Sequence, residues 1–421
     1  VIYLDAAATA PPRREVLEAM WPYLTTEFGN PSSSHSAGES AARALTAARE
    51  TAARVLGCRP GEIIFTSGGT EADNLAVKGL ALAGMDRMDR RDRLVQEGAG
   101  AAPHLVSTAV EHPAVLESLD YLQRRHGFSV TLLPVDGTGR VDPEAVSAAL
   151  TPRTVLCSVM YANNEVGTVQ PVGKIAARCR AAGVPFHTDA VQAGGWLDVN
   201  VTRLGVDALS LSGHKLGTPK GIGLLYLRGA PALEPVMHGG RQERGRRSGT
   251  ENVAGAVGMA AALALAAAER DDAARHTATL RNKLIDTVLR DVPGALLTGH
   301  RSERLPGHAS FCFPGTSGET VLLELERAGV LCSSGSACAA GSDEPSAVLT
   351  AMGLDRATAQ TAVRFTFTAA LTEDDVDRAA RAVAAAVEAV GGLAPGPACS
   401  GQGPTSQAPA GNPRLMRQMV L

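Results

Sequence analysis

A chain of 421 residues with 45% hydrophobic content can bury a large core, divided between two lobes. Its formal net charge of −3 is close to balance, which argues against a nucleic-acid-binding or membrane-surface protein. No apolar run is expected to reach the roughly 20 residues that span a bilayer, and Val1-Ile2-Tyr3-Leu4-Asp5 lacks the basic-then-apolar pattern of a signal peptide, so a cytoplasmic protein is expected. The seven cysteines, an odd number with no CxxC pair, fit neither a disulfide framework nor a zinc site. Cys58, Cys157, Cys179 and Cys312 lie in apolar or helical contexts and read as buried thiols.

Along the chain, strand-like runs alternate with helix-like ones. Glu62-Ile63-Ile64-Phe65-Thr66 leads into Ser67-Gly68-Gly69-Thr70 and a helical stretch at 72–82. Residues 86–102, charged and then Gly/Ala-rich, read as an exposed loop. Leu105-Val106-Ser107-Thr108 precedes Glu111-His112-Pro113 and a helix to Arg125; Val155 to Met160 is a further strand ahead of Asn163-Asn164-Glu165. Val184-Pro185-Phe186-His187 and residues 207–211 are the next two strands. Most of these strands are apolar on both faces, the pattern of a mostly parallel central sheet covered by helices. From Val253 an Ala-rich helix runs to about Arg275, followed by a smaller α+β region. The expected division is therefore an N-terminal segment at 1–14 packing with the small domain, a large domain at 15–252, a small domain at 253–391, and a Gly/Pro/Ser-rich tail at 392–421 expected to be disordered.

In such sheets ligands collect at the carboxyl ends of strands, and five polar clusters in this chain follow strands. Two of them carry the chemistry. Lys215, closing Ser212-Gly213-His214-Lys215, and Asp189, in His187-Thr188-Asp189, are what pyridoxal phosphate (PLP) requires: an amine to bind its aldehyde and a carboxylate to keep its ring nitrogen protonated. Ser67-Gly68-Gly69-Thr70, between a strand and a helix, suits a phosphate held by free N–H groups at the helix start. His112 is placed either as a solvent-facing helix cap or flat against the cofactor ring, where it would shuttle protons. Cys338 lies in Ser334-Gly335-Ser336-Ala337-Cys338-Ala339-Ala340-Gly341, a run of small residues that reads as a movable loop with an accessible, reactive thiol. Cys332 follows the apolar Gly329-Val330-Leu331 and reads as packed.

The ordered motifs resemble the NifS/IscS-like cysteine desulfurases of the class V aminotransferase family, which are fold-type I PLP enzymes. The resemblance rests on Gly29-Asn30-Pro31-Ser32-Ser33-Ser34-His35, 66–74, Glu111-His112-Pro113-Ala114-Val115-Leu116, Asn163-Asn164-Glu165-Val166-Gly167, 187–192, 210–223, 238–252 and Ser334-Gly335-Ser336-Ala337-Cys338. It implies that Lys215 links PLP, Asp189 pairs with the pyridinium, Gln192 bonds the phenolic oxygen and His112 stacks on the ring. Gly69, Thr70, Ser212 and His214 would hold the phosphate, with Thr250 reaching across from a second subunit of a homodimer. Asn164 and Arg364 would receive L-cysteine, and Cys338 would take its sulfur as a persulfide for a sulfur-acceptor protein, either an iron–sulfur scaffold or a thiolation enzyme. No metal is implied in the resting enzyme, although Cys338 is placed to ligate an iron–sulfur cluster transiently. An aminotransferase or lyase on the same fold, which needs no loop thiol, and a non-enzymatic scaffold are the alternatives. The chain departs from the family pattern at Arg241, where a third glycine is usual, at Thr218, and at Thr366 and Thr368.

Overall fold

The computed structural model describes residues 1–94, 102–229, 231, 233–335 and 344–391, with backbone alone at 91–94. Its strands, in chain order, are β1 (Ile2–Tyr3), β2 (Ile63–Thr66), β3 (His104–Thr108), β4 (Ser129–Leu133), β5 (Thr154–Ser158), β6 (Phe186–Asp189), β7 (Ala208–Ser212), β8 (Gly223–Leu227), β9 (Leu296–Thr298), β10 (His308–Cys312), β11 (Val330–Leu331) and β12 (Ala362–Thr366). Seven of them form one sheet in the order β2-β8-β7-β6-β5-β3-β4. All run parallel except β8, which is antiparallel to both neighbours.

Side-chain alternation explains why these runs are apolar throughout. Ile64, Leu105, Leu156, Ala208 and Leu225 face one layer, packing on Leu75, Ala76 and Leu80 of the helix Gly69–Leu94. Their sequence neighbours Phe65, Val106, Cys157, Leu209 and Leu224 face the other, against Ala52 and Leu56 of Ser36–Leu56 and Ile175 of Val172–Ala181. Each side chain of this size contributes about 1.5–3 kcal/mol on full burial. The edge strand β4 is half-exposed instead, as a strand covered on fewer sides should be.

The chain passes from β2 across the sheet to β3, takes the edge with β4, then returns through β5, β6 and β7. This order brings the carboxyl ends of six strands to one edge. The turn after β2 meets the start of β8 there, and a Cβ on Gly223 would lie 2.5 Å from the backbone carbonyl carbon of Gly68. Only glycine allows that approach.

A second core is built on the antiparallel sheet β9-β10-β12. Phe311, Phe313 and Phe365 meet there, with ring centroids 5.9 and 6.1 Å from Phe311, beneath helices Gly318–Arg327 and Glu373–Gly391. β1 pairs in parallel with β11, and Ile2 and Leu4 enter the same core. The 39-residue helix Val253–Asp291 serves both cores, through Ala256, Met259 and Leu263 in the first and Leu280, Leu284 and Val288 in the second.

Three expectations need correction. The helix Val253–Asp291 extends well beyond Arg275, and by length and composition one window of it is apolar enough to cross a membrane. That apolarity has a structural use, since its first turns are buried against helices Arg14–Thr25 and Ser36–Leu56. Residues 86–94 continue the helix that begins at Gly69, because Arg and Asp on a solvent-facing helix interrupt nothing; 95–101 lie outside the described residues, as do 230, 232, 336–343, which include Cys338, and 392–421.

The departure at Arg241 has a backbone meaning. Arg241 has φ 62°, with Glu243 at 46° and Arg244 at 60°, so three non-glycine residues occupy the left-handed region in one turn. Each such conformation costs an L-residue roughly 1–2 kcal/mol. The turn is held by Arg49, whose guanidinium takes both oxygens of buried Glu243 at 2.8 and 2.7 Å. Arg241→Gly is expected to stabilise the protein by about 1 kcal/mol, seen as a higher urea midpoint at unchanged m-value. An unchanged or lower midpoint would contradict it.

Candidate active site

At the shared strand edge, each polar cluster is fixed by local structure. Thr66 Oγ1 donates to the Gly68 carbonyl at 2.9 Å, and the Glu71 carboxylate accepts from Ser67 N–H at 2.8 Å, which sets the turn into the helix beginning at Gly69. His112 follows β3 and caps the helix Pro113–His126, its Nδ1 accepting from Ala114 N–H at 3.1 Å. That bond places the neutral ring's proton on Nε2. Asp189 ends β6, with Oδ1 accepting from Val191 N–H at 2.9 Å and Oδ2 taking no hydrogen bond from the described residues. Lys215 closes the single 3-10 turn Gly213–Lys215 after β7.

These groups share a cavity of about 540 Å³. Gly69, Thr70, Ser212 and His214 line it together with His112, Asp189, Gln192 and Lys215. Asn164 and Arg364 complete it. The Arg364 guanidinium is 3% exposed, donating from Nη1 to the Asn164 carbonyl and from Nη2 to Asp5 Oδ1, both at 2.9 Å. Thr250 is brought to none of these residues within the chain; it is exposed, beside Thr66, Ser67 and Asn252 in a separate depression.

Desolvation governs the charges here. Burial raises Asp189 above the usual carboxylate range, while nearby His112 and Lys215 pull it back. Burial lowers His112, with Lys215 adding to the effect and Asp189 opposing it. His214 is pushed down to about 4 by burial and by Lys215 and Lys220. Burial thus favours the neutral ring of His112, beside a buried acid.

The aminotransferase class-V family profile matches residues 2–379. A cysteine desulfurase IscS from Dictyoglomus turgidum is 44% identical over 376 residues, covering 89% of this chain and 92% of that protein. The chain belongs to the cysteine desulfurases of the class-V aminotransferase family. A solved NifS-like protein superposes with a TM-score of 0.83 at 36% identity, over 92% of this chain and 99% of the other. A structure described as SspA in complex with cysteine superposes with a TM-score of 0.74 at 35% identity, over 87% of this chain and 99% of that one.

Desulfurases of this family are PLP enzymes, and the cavity fits that cofactor. A lysine amine, a buried carboxylate lining the cavity and the first amides of the helix at Gly69 are separately suited to its aldehyde, pyridinium and phosphate. Two of the chain's departures from the family are also explained. Thr366 Oγ1 accepts from Ala7 N–H at 2.8 Å, so the hydroxyl ties down the N-terminal segment. Thr218 is buried against Gly213, in the turn that carries Lys215.

Several site residues escaped the sequence reading. The N-terminal segment enters the cavity: Lys215 Nζ donates to the carbonyls of Ala7 and Ala8, the latter at 2.6 Å, and Gln192 Nε2 donates to Ala7 at 3.1 Å. Asp73, one turn into its helix, lines the cavity with a buried oxygen 3.7 Å from His187 Nε2. Glu111 accepts from Thr108 Oγ1 at 2.6 Å and from Met160 N–H at 3.0 Å, its other oxygen buried and unpaired. Glu165 accepts from Ser346 Oγ at 2.5 Å. The signal for Glu111 and Glu165 was their place in the quoted motifs; the Ala7 and Ala8 carbonyls have no side-chain signal. Cys332 is half-buried against the second core, its thiol pushed up to about 12 by burial and by Asp5.

Burial pushes Glu111 up to about 8 and Glu165 to about 7 from an ordinary 4.5. Between 4.5 and those values the folded state binds more protons than the unfolded one, so stability falls as pH rises. Buried His187 and His308, both near 3, act in the opposite sense, but only up to their ordinary 6.5. Stability of the cofactor-free protein is therefore expected to fall from about pH 6.5 to about 8. Glu111→Gln keeps an acceptor for Thr108 and Met160 and should flatten that fall. Urea titrations across this range check it, and an unchanged slope would contradict the assignment.

Proposed function

We propose that the chain is a PLP-dependent cysteine desulfurase that converts L-cysteine to L-alanine and leaves the sulfur on Cys338 for transfer to an acceptor. The observation that carries this reading is the make-up of one cavity. Lys215, Asp189 and His112 lie in it with Arg364, and Gly335 on one side and Ser346 on the other, which flank the Cys338 segment, also line it. Cys338 itself lies outside the described residues.

When bound, PLP supplies an electron sink for charge developing at the substrate α-carbon. Lys215 would hold the cofactor through its amine and, when free of it, would take the α-proton of the substrate and give one back to the alanine product. Asp189 holds the proton on the pyridine nitrogen, which its buried, half-satisfied carboxylate suits. His112, its Nδ1 engaged by Ala114 N–H, would face the cofactor ring and offer Nε2 for moving protons. Gln192 bonds the phenolic oxygen. Gly69, Thr70, Ser212 and His214 take the phosphate. Thr250, exposed and not part of its own chain's cavity lining, reaches that of a second copy in a homodimer. Arg364 and Asn164 hold the substrate carboxylate, the guanidinium offering a planar pair of donors.

Cys338 acts as a thiolate on the substrate sulfur. A sulfur–sulfur bond forms as the substrate's carbon–sulfur bond breaks, its electron pair passing to the β-carbon, which is protonated to the methyl group of alanine. Sulfur is oxidised and carbon reduced within one reaction, so no outside redox partner is needed. The persulfide then passes to an iron–sulfur scaffold or a thiolation enzyme in the cytoplasm.

Incubation of the holoenzyme with L-cysteine should release alanine and place one labile sulfur on Cys338. Cys338→Ser should lower alanine release by at least about 100-fold, since the attacking nucleophile is gone, while the visible spectrum of the bound cofactor stays unchanged. Alanine release undiminished in that variant would point to a lyase or aminotransferase.

A further inference from the structure

Arg364 has four flexible torsions and is almost fully buried, so something must decide where its guanidinium points. Two contacts do so. Nη1 donates to the Asn164 carbonyl and Nη2 to Asp5 Oδ1, each at 2.9 Å, while Nε is buried without a partner. The Asn164 contact alone would leave the group free to rotate about that bond. Glu165 is the competing partner: it lines the same cavity and attracts Arg364 electrostatically.

Asp5 is itself held on several sides. It bridges Thr366, two residues beyond Arg364 on β12, and its carbonyl accepts from Tyr3 Oη and Ala8 N–H, both at 3.0 Å. Ala6 N–H donates to the Thr366 carbonyl at 3.1 Å. The carboxylate thus reaches Arg364 from a segment fastened to the strand that carries it. Resting on the reading of Arg364 as the carrier of the substrate carboxylate, we infer that Asp5 is a positioning residue for substrate binding. It fixes the guanidinium toward the cavity and keeps it from Glu165, leaving each terminal nitrogen a second N–H for the incoming carboxylate.

This role makes Asp5 specific for the carboxylate of the substrate and irrelevant to its thiol or amine. The test compares the affinity of the holoenzyme for L-cysteine with that for cysteamine, which lacks the carboxylate. Spectral titration is run on the parent, Asp5→Asn, Arg364→Lys and the double variant, with melting temperature and cofactor spectrum recorded for each. Asp5→Asn should weaken L-cysteine by about tenfold, the scale of a charge-assisted hydrogen bond, and leave cysteamine unchanged. Arg364→Lys should do the same, and the double variant should be no weaker than Arg364→Lys, because both act through one group. Asp5→Glu, which keeps the charge, should recover part of the loss even if Asp5→Asn melts early.

A loss with Arg364→Lys but none with Asp5→Asn would overturn the role of Asp5 and leave the reading of Arg364 standing. No loss with Arg364→Lys would overturn the reading of Arg364 and the inference with it. Equal weakening of both ligands by Asp5→Asn, or additive losses in the double variant, would make Asp5 a structural residue only.

Discussion

The molecule depends on removing water from the carboxyl edge of one sheet. Strands that are apolar on both faces seal the interior, and polar side chains enter only where those strands end. Asp73, Asp189 and Glu165 line the cavity there, and Glu111 is buried behind it. Each is pushed above the usual carboxylate range by burial. A carboxylate that is hard to ionise alone ionises readily beside a cation, so a cavity of this kind suits a bound cationic group. Desolvation thus links the fold to the cofactor. The sheet order is what makes the cavity, and the cavity is what sets the charges.

A second constraint is that the two cores share the site. The N-terminal segment starts as a strand on β11 in the second core and passes through the cavity of the first. Its carbonyls meet Lys215 and Gln192, its carboxylate meets Arg364, and Thr9 meets His214 Nδ1 at 3.1 Å. Arg364 is delivered from β12, while Asn164 follows β5. Both cores therefore supply side chains to one cavity, with one extended segment in contact with both. The helix Val253–Asp291, buried at both ends, keeps the cores in register.

Much of this was legible because the chemistry sits where strands stop. Lys215, Asp189, His112 and Asn164 each follow an apolar run, and a parallel sheet must gather such positions on one edge. Asp73 falls in the quoted 66–74 motif but drew no role there, since it reads as one more charged residue on a helix, and only tertiary packing turns it inward. The part played by Ala7 and Ala8 was hidden more deeply, because backbone carbonyls carry no residue-specific signal and their partner is some two hundred residues away. Residues 86–94 misled by composition: repeated Arg and Asp resemble a loop, yet the backbone there is helical and Asp86, Arg87, Asp89 and Arg90 are exposed. The apolar start of Val253–Asp291 was passed over for the opposite reason. Its alanines and glycines are small and allow close helix contact, as at Gly258, where a Cβ would lie 2.5 Å from Met20 Sδ.

The account turns on Lys215 as the amine presented to the cofactor at the sheet edge. Borohydride reduction of the PLP-loaded enzyme fixes the attachment permanently, and tandem mass spectrometry of its peptides locates it. The account predicts a pyridoxyl group on Lys215 and on no other lysine. Modification of neighbouring Lys220 instead, or of no lysine at all, would contradict it.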